Sequence, residues 1–313
     1  MVRIWNRYWF SPAPCFDLAV VRIIACIGAL YYAWIFRDYY SDISNLALLP
    51  DQNYRPLLTF RLLNLPFAWS FGSDAAWPGR PGGEFVSNVF TVCIAAGLLA
   101  AVGALTRISL AVFSVTFCYT TAYIYSYGDF HHPAPVLILA LAAMALSPAG
   151  RVLSVDSLLR RGPRTDPLTV MNQFAGWPIK FVMWFFALMY WSAVFSKLSR
   201  GGFDWANGYT LQWYLARNAM EKDGAVGIWL SQYHTLIVLT QLAVLFFQAT
   251  FFLCVLFPKL RWFYAPVGLL FHVTIYLTLG AHFFTWIALY SVFVPWSELV
   301  KRLRGPKPYA VVT

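Results

Sequence analysis

Apolar runs of about twenty residues recur along this chain of 313 residues, and they constrain its fold more than any motif does. A helix of about 20 apolar residues crosses the hydrocarbon core of a bilayer. The runs occupy residues 16–36, 85–105, 108–127, 134–146, 177–195, 233–257 and 262–294. The last run is longer than one span requires, and Gly280-Ala-His282 is a natural break within it. The pattern predicts about eight transmembrane helices.

Composition supports the same class. Hydrophobic residues make up 60% of the chain, charged residues 12%, and the mean hydropathy is +0.60, far outside the range of soluble domains. The alternating ten-residue segments of a membrane barrel do not appear in the sequence. We predict an all-α, polytopic helical bundle that forms a single membrane domain over residues 1–313, with a basic tail at 296–313. The apolar run after the N-terminus is too long for a signal peptide, so we expect the first span to be retained.

Charge is distributed unevenly between the loops, and this predicts topology. With the N-terminus inside, the inner segments carry 14 basic and 3 acidic residues, while the outer segments carry 8 basic and 9 acidic residues. Lys and Arg collect in cytoplasmic loops, so both termini are expected to be cytoplasmic. The net charge of +10 therefore indicates topology and contact with anionic membrane lipid, and we expect no nucleic-acid partner.

Cysteine usage does not favour a metal or redox site. The five cysteines fall mostly inside apolar runs, with no CxxC pair and no histidine at ligand spacing. We interpret them as packing residues and predict no metal site. They are Cys15, Cys26, Cys93, Cys118 and Cys254.

Lys197 lies where a long aromatic run, predicted to end near residue 195, meets polar sequence. An ionisable side chain at the edge of a span is costly, and a functional role is the default hypothesis. An amine that has lost its water gives up a proton more readily and can act as a base. Snorkelling of the lysine to the interface is the alternative.

Several other polar residues are predicted to lie near the outer face with Lys197, as a membrane-embedded reaction chamber would require. They are Asp129, His131, His132, Arg200, Asp204 and His282. Each has a structural alternative: the adjacent histidines could be interfacial, and His282 could break a helix pair. Within the spans, His272 could bond a neighbouring helix. Arg22 must snorkel, pair or line a cavity.

Four stretches now carry a resemblance to a known family. The region of Lys197 contains Tyr190, Ser196-Lys197-Leu198 and Trp205-Ala-Asn-Gly208-Tyr209. It resembles the segment around the lysine of vitamin K-dependent gamma-glutamyl carboxylases, which belong with the horizontally transferred transmembrane domain (HTTM) family. Three further stretches agree in the same order: Arg107-Ile108-Ser109, Arg151-Val-Leu-Ser154-Val155-Asp156 and Phe271-His272. The likeness covers roughly residues 16–295.

The resemblance implies a chemistry. Lys197 would be the weak base that deprotonates a reduced, vitamin K-like quinone and starts its oxidation by oxygen to a far stronger base. The family histidine falls on His131 when counted from Arg107 and nearer His132 when counted back from Ser154, so both are catalytic candidates. The candidate cofactor-binding residues are Arg22, Trp205, Tyr209, His272 and His282.

Three functions follow as hypotheses. The first is a quinol-linked, carboxylase-type enzyme that acts on a peptide or small molecule at the outer face. The second is a maturation protein for a secreted peptide toxin, and the third is a non-catalytic subunit that binds quinone or lipid in a larger membrane complex. In each case we expect a multi-pass protein of the cell membrane, in a bacterial inner membrane with the site facing the periplasm.

Overall fold

The computed structural model describes residues 2–40, 43–64, 80–128, 134–160, 165–221, 225–280 and 283–304. The chain divides into two compact units, residues 1–179 with 295–313 and residues 180–294. The expectation of one membrane domain over residues 1–313 stays a prediction. Each unit is described by itself below.

The first unit is a helical bundle with short surface helices. Its helices are α1 (Val2–Trp9), α2 (Cys15–Tyr40), α3 (Leu58–Asn64), α4 (Gly83–Val102), α5 (Thr106–Tyr125), α6 (Ala134–Ala145), α7 (Val155–Leu159) and α15 (Trp296–Arg304). Helices α2, α4, α5 and α6 pack together. The interior face of α4 is built from small residues such as Ala96, Gly97 and Ala100, which let helices approach closely in lipid.

One end of this unit gathers segments that are far apart in sequence. Strand β1 (Ala13–Pro14) pairs antiparallel with β2 (Met171–Asn172), with Ala13 opposite Asn172. The Oδ1 atom of Asp17 accepts a hydrogen bond of 2.6 Å from the Ser297 amide, which fixes α15 to the start of α2. Segments that the charge pattern assigns to the inner side therefore meet at one end. The side of the membrane on which this end lies stays a prediction.

Asp156 organises the same end by capping α5 from outside that helix. Its carboxylate accepts hydrogen bonds from the amides of Leu105 and Thr106, each at 2.8 Å, and from the Thr106 hydroxyl at 2.6 Å. Leu105 is held in the left-handed region with φ 46°, which costs a non-glycine residue about 1–2 kcal/mol. The Ser154-Val155-Asp156 motif is therefore a helix cap that fixes a strained turn.

The stability of the Asp156→Asn variant should fall less at low pH than that of the wild type. Burial of the Asp156 carboxyl acts to raise its pKa, but the hydrogen bonds from Thr106 and Leu105 outweigh burial and lower it. A lowered pKa means that the stabilisation is present above the unfolded value of about 3.9 and is lost as the pH falls through the folded value. At pH 7 we expect the variant to lose about 1 kcal/mol of unfolding free energy, because an NH₂ group replaces one of the two oxygens that accept these hydrogen bonds.

Thermal unfolding of detergent-solubilised protein at pH 7, 5 and 3 measures this difference. The gap between wild type and Asp156→Asn should shrink between pH 5 and pH 3. Glu298→Gln, at an exposed position, is the matched control. A gap that is constant with pH would contradict the assignment of the cap to the ionised carboxylate.

The second unit contains the remaining helices. They are α8 (Gly176–Gly201), which begins four residues before the division, α9 (Tyr209–Glu221), α10 (Ala225–Ser231), α11 (His234–Thr250), α12 (Leu253–Leu256), α13 (Arg261–Leu279) and α14 (Phe284–Leu289). A 3₁₀ turn at Gly202–Ala206 follows α8 after a left-handed backbone at Gly202, and another at Tyr290–Phe293 follows α14. Buried aromatic side chains fill the interior, with Phe186 in ring contact with Phe251, Trp286 and Tyr290.

The helical class is confirmed, whereas the expected count of eight spans is not. Six helices of the described residues are long and apolar enough to cross a membrane, so this is a multi-pass membrane protein. They are Cys15–Ile35, Gly83–Val102, Thr106–Tyr125, Gly176–Ala206, His234–Leu256 and Pro258–Leu279. The predicted span at residues 134–146 is the 12-residue helix α6, and the described part of the last predicted span contains the short α14 followed by the 3₁₀ turn at Tyr290–Phe293. The predicted break at Gly280 is present, because this residue ends α13 in the left-handed conformation.

Candidate functional site

Lys197 lies deeper in its helix than the sequence indicates. The predicted span ends near residue 195, but α8 continues to Gly201. Lys197 thus lies within the helix, four residues or about one helical turn before its end. The polar Ser196-Lys197-Leu198-Ser199-Arg200 sequence belongs to the last turns of the helix.

The amine of Lys197 has a neutral partner. Its Nζ donates a hydrogen bond of 2.8 Å to Oε1 of Gln248 on α11. The same Nζ lies 5.1 Å from the centre of the Trp205 ring, within the range of a cation–π contact. Among the described residues, Lys197 forms no ion pair with a carboxylate. The side chain is partly buried and held by an amide and an indole.

A second glutamine of α11 holds Trp205 in place. Gln241 is buried, with 3% of its surface exposed. Its Nε2 donates to the Trp205 carbonyl at 2.9 Å, and its Oε1 accepts from the Gly208 amide at 2.7 Å. The side-chain amide of Gln241 thus fixes the corner after α8. Gln241 positions the Trp205 ring relative to Lys197 through these backbone contacts and not through a hydrogen bond to the amine.

Tyr209 lies beside this corner with its ring outward. Its side chain is 67% exposed, and its ring centre is 4.5 Å from that of His234. His234 Nδ1 is 3.0 Å from Oε1 of Gln212, whose Nε2 donates to the Ser231 carbonyl. The exposed Tyr209 ring therefore packs against His234, whose position is fixed by its hydrogen bond to Gln212.

His272 belongs to a buried polar chain in the aromatic core. Its Nε2 is 2.8 Å from the hydroxyl of Tyr190, which in turn hydrogen-bonds the hydroxyl of Tyr290. All three residues are almost fully buried. Within the described part of the chain, His272 Nδ1, Trp286 Nε1 and Thr285 Oγ1 are buried without a hydrogen-bond partner. Tyr190 and Lys197 are seven residues apart on α8, so they share a helix face.

Arg22 has structural partners in the first unit. Its guanidinium is fully buried and donates to the Ala149 carbonyl at 2.7 Å and to the Leu153 carbonyl at 2.5 Å. Leu153 has a left-handed backbone with φ 50°, so Arg22 fixes a strained turn. These contacts favour pairing over a direct ligand role, and its role in cofactor binding stays a prediction.

The three remaining predicted site residues, His131, His132 and His282, lie outside the described residues, as does Asp129. The structure therefore brings together Lys197 and Trp205, with Tyr209 at the adjoining corner, and places His272 in the core of the same unit.

Comparison with known proteins assigns the family. A family model described as HTTM domain matches residues 76–297, more than two thirds of the chain. The chain belongs to the HTTM family. It is a multi-pass membrane protein of this gamma-carboxylase-related family. No curated protein and no solved structure gives a match. The HTTM match includes every predicted site residue except Arg22.

The sequence reasoning missed four residues of this HTTM site region as site candidates. Gln248 holds the amine, Gln241 holds Trp205, and Tyr190 and Tyr290 complete the chain to His272. The two glutamines are seven residues apart in an otherwise apolar span, and this spacing is a usable signal. Polar residues that recur on one face of a membrane helix usually face protein or a cavity.

The residues around Lys197 in this HTTM protein fit a reduced quinone. Such a molecule presents a flat ring and hydroxyl groups. The Trp205 ring offers a flat surface for stacking. As a neutral amine, Lys197 has two N–H donors and one lone pair; Gln248 accepts from one donor, which leaves the lone pair for the proton of a ligand hydroxyl.

Proposed function

We propose that this protein is a quinol-linked membrane enzyme of carboxylase type, with Lys197 as the base toward the reduced quinone. The observation that supports the proposal is the position of Lys197 within α8, a helix of spanning length, with the neutral Gln248 as its hydrogen-bond partner. A carboxylate partner would keep the proton on the lysine through its negative charge. An amide oxygen carries no formal charge, so the proton is free to exchange with a bound hydroxyl.

Each neighbouring residue has a defined task in this proposal. Lys197 accepts a proton from a hydroxyl of the quinol, and Gln248 orients the amine through a single hydrogen bond. Trp205 orients the ring, and Gln241 fixes Trp205. When bound, the quinol supplies reducing equivalents for oxygen and, through its oxidation, a base strong enough to deprotonate carbon.

The substrate class and location follow from the family resemblance and the charge pattern. We propose a peptide or small molecule as the substrate, acted on at the outer face of a bacterial inner membrane. His272, Thr285 and Trp286 have buried polar atoms without a hydrogen-bond partner among the described residues, and these are compatible with further polar ligands in the core of the same unit.

Lys197→Ala should lower quinol oxidation by about 100-fold, because general-base catalysis contributes at least that much. The assay uses purified protein in nanodiscs with reduced quinone, oxygen and labelled bicarbonate, and follows quinol absorbance and label incorporated into candidate peptides. Lys259→Ala removes an exposed lysine of the same unit and is the matched control, with unchanged turnover expected.

A binding measurement separates the enzyme from a non-catalytic quinone-binding subunit. Quenching of tryptophan fluorescence by added quinone reports binding without turnover. If the wild type binds quinone but oxidises no quinol, the enzyme proposal is wrong and a binding subunit is favoured. Equal turnover of wild type and Lys197→Ala would show that Lys197 is not the base.

A further inference from the structure

A cavity of about 450 Å³ opens at the end of the first unit where Asp156 caps α5. It lies between the start of α5 and the segment from Ser147 to Arg160. Three arginines line it, Arg107, Arg151 and Arg160, together with hydroxyl groups of Thr106 and Ser147. A cavity of this volume accommodates a small polar group of ligand size.

The cavity carries a net positive charge that is not neutralised from within. Asp156 is the acidic residue of the lining, and its single negative charge leaves two of the three arginine charges uncompensated. Its oxygens accept the amides of Leu105 and Thr106 and the Thr106 hydroxyl. Arg160 reaches back over the cavity toward the carbonyls of Gly150 and Arg151, at 3.3 and 3.4 Å. Among the described residues, Arg107 and Arg151 form no ion pair.

The surroundings of these arginines are apolar, unlike those of a site for a soluble anion. Leu105 and Ile108 line the same cavity and are 66% and 63% exposed. Three further leucines of the surrounding segments, Leu146, Leu158 and Leu159, are each more than 70% exposed. A cluster of guanidinium groups next to exposed aliphatic side chains matches the two parts of a phospholipid, its phosphate and its acyl chains.

We infer that this cavity binds the phosphate group of an anionic phospholipid. Arg107 and Arg151 supply charged donors to the phosphate oxygens, and Leu105 and Ile108 contact the first carbons of the acyl chains. The amides of Leu105 and Thr106 take no part, because Asp156 accepts both. The inference does not depend on the chemistry proposed for Lys197.

The test measures lipid binding to delipidated protein by native mass spectrometry. The double variant Arg107→Gln/Arg151→Gln is titrated with phosphatidylglycerol, with zwitterionic phosphatidylcholine and with inorganic phosphate. The matched control, Lys301→Gln/Arg302→Gln, removes the same charge from exposed positions of α15 and leaves the cavity intact. Thermal unfolding of each variant establishes that it is folded.

We expect the cavity variant to bind phosphatidylglycerol about 10- to 30-fold more weakly than wild type, since each arginine near a lipid surface contributes appreciably. The control variant should remain within about twofold. Binding of millimolar inorganic phosphate without binding of phosphatidylglycerol would assign the cavity to free phosphate and overturn the lipid inference. An equal loss of phosphatidylglycerol affinity in the two double variants would show that binding depends on general surface charge. No loss of affinity in either variant would show that the lipid does not bind in the cavity. Either result overturns the inference.

Discussion

Arg22→Met is expected to lower the free energy of unfolding by about 2–4 kcal/mol. The guanidinium is fully buried and satisfies the carbonyls of Ala149 and Leu153, which methionine cannot reach with a donor. Each buried carbonyl left unpaired costs about 1–3 kcal/mol, and relief of the buried charge offsets part of that cost. The strained turn at Leu153 loses its restraint at the same time.

The midpoint of thermal unfolding in detergent reports this loss as a decrease of several degrees. Arg302→Met makes the same chemical change at an exposed position of α15, and its midpoint should match that of the wild type. If both variants unfold with the wild-type midpoint, Arg22 does not stabilise the turn. Arg22→Lys keeps a donor and should lose less stability than Arg22→Met.

Gly268→Ala is expected to disrupt the buried chain of Tyr190, His272 and Tyr290. A Cβ atom on Gly268 would overlap the Tyr290 hydroxyl and lie 2.7 Å from Cε1 of the same ring. The ring is 2% exposed and enclosed by aromatic neighbours, so it cannot move away without breaking its bond to Tyr190. Overpacking of this kind costs about 1–3 kcal/mol.

A double-mutant cycle tests whether the clash is with Tyr290. Gly268→Ala and Tyr290→Phe are measured singly and together by thermal unfolding. The double variant should lose less than the sum of the single losses, because the phenylalanine lacks the overlapping oxygen. Strict additivity would show that the cost arises elsewhere. Gly82→Ala is the control, since nothing lies within 4 Å of the added atom.

The long apolar spans could be predicted from sequence because the length of an apolar run is enough to identify them. Six of the predicted runs correspond to helices of spanning length. The run at residues 134–146 does not, because it is shorter than the roughly 20 residues that a span requires. Helix α6 has 12 residues, or about 18 Å of rise.

The partners of polar residues could not be predicted, because they come from distant segments. The carbonyls bound by Arg22 are 127 and 131 residues away, and Gln248 is 51 residues from Lys197. The polar residues after residue 195 indicated a helix end because polar side chains in a sequence are interpreted as facing solvent. Gln248 and Gln241 instead supply hydrogen bonds inside the protein, and the helix continues.

The length of α8 makes bilayer thickness a variable of the chemistry proposed for Lys197. At 1.5 Å per residue the 26 residues of α8 extend about 39 Å, against a hydrocarbon core of about 30 Å. A span with this much excess must tilt, or the bilayer must thicken around it. In thin membranes the Lys197 end would move toward the headgroups, and in thick ones it would be drawn into hydrocarbon. Lipid chain length would thereby adjust the access of water and protons to the amine.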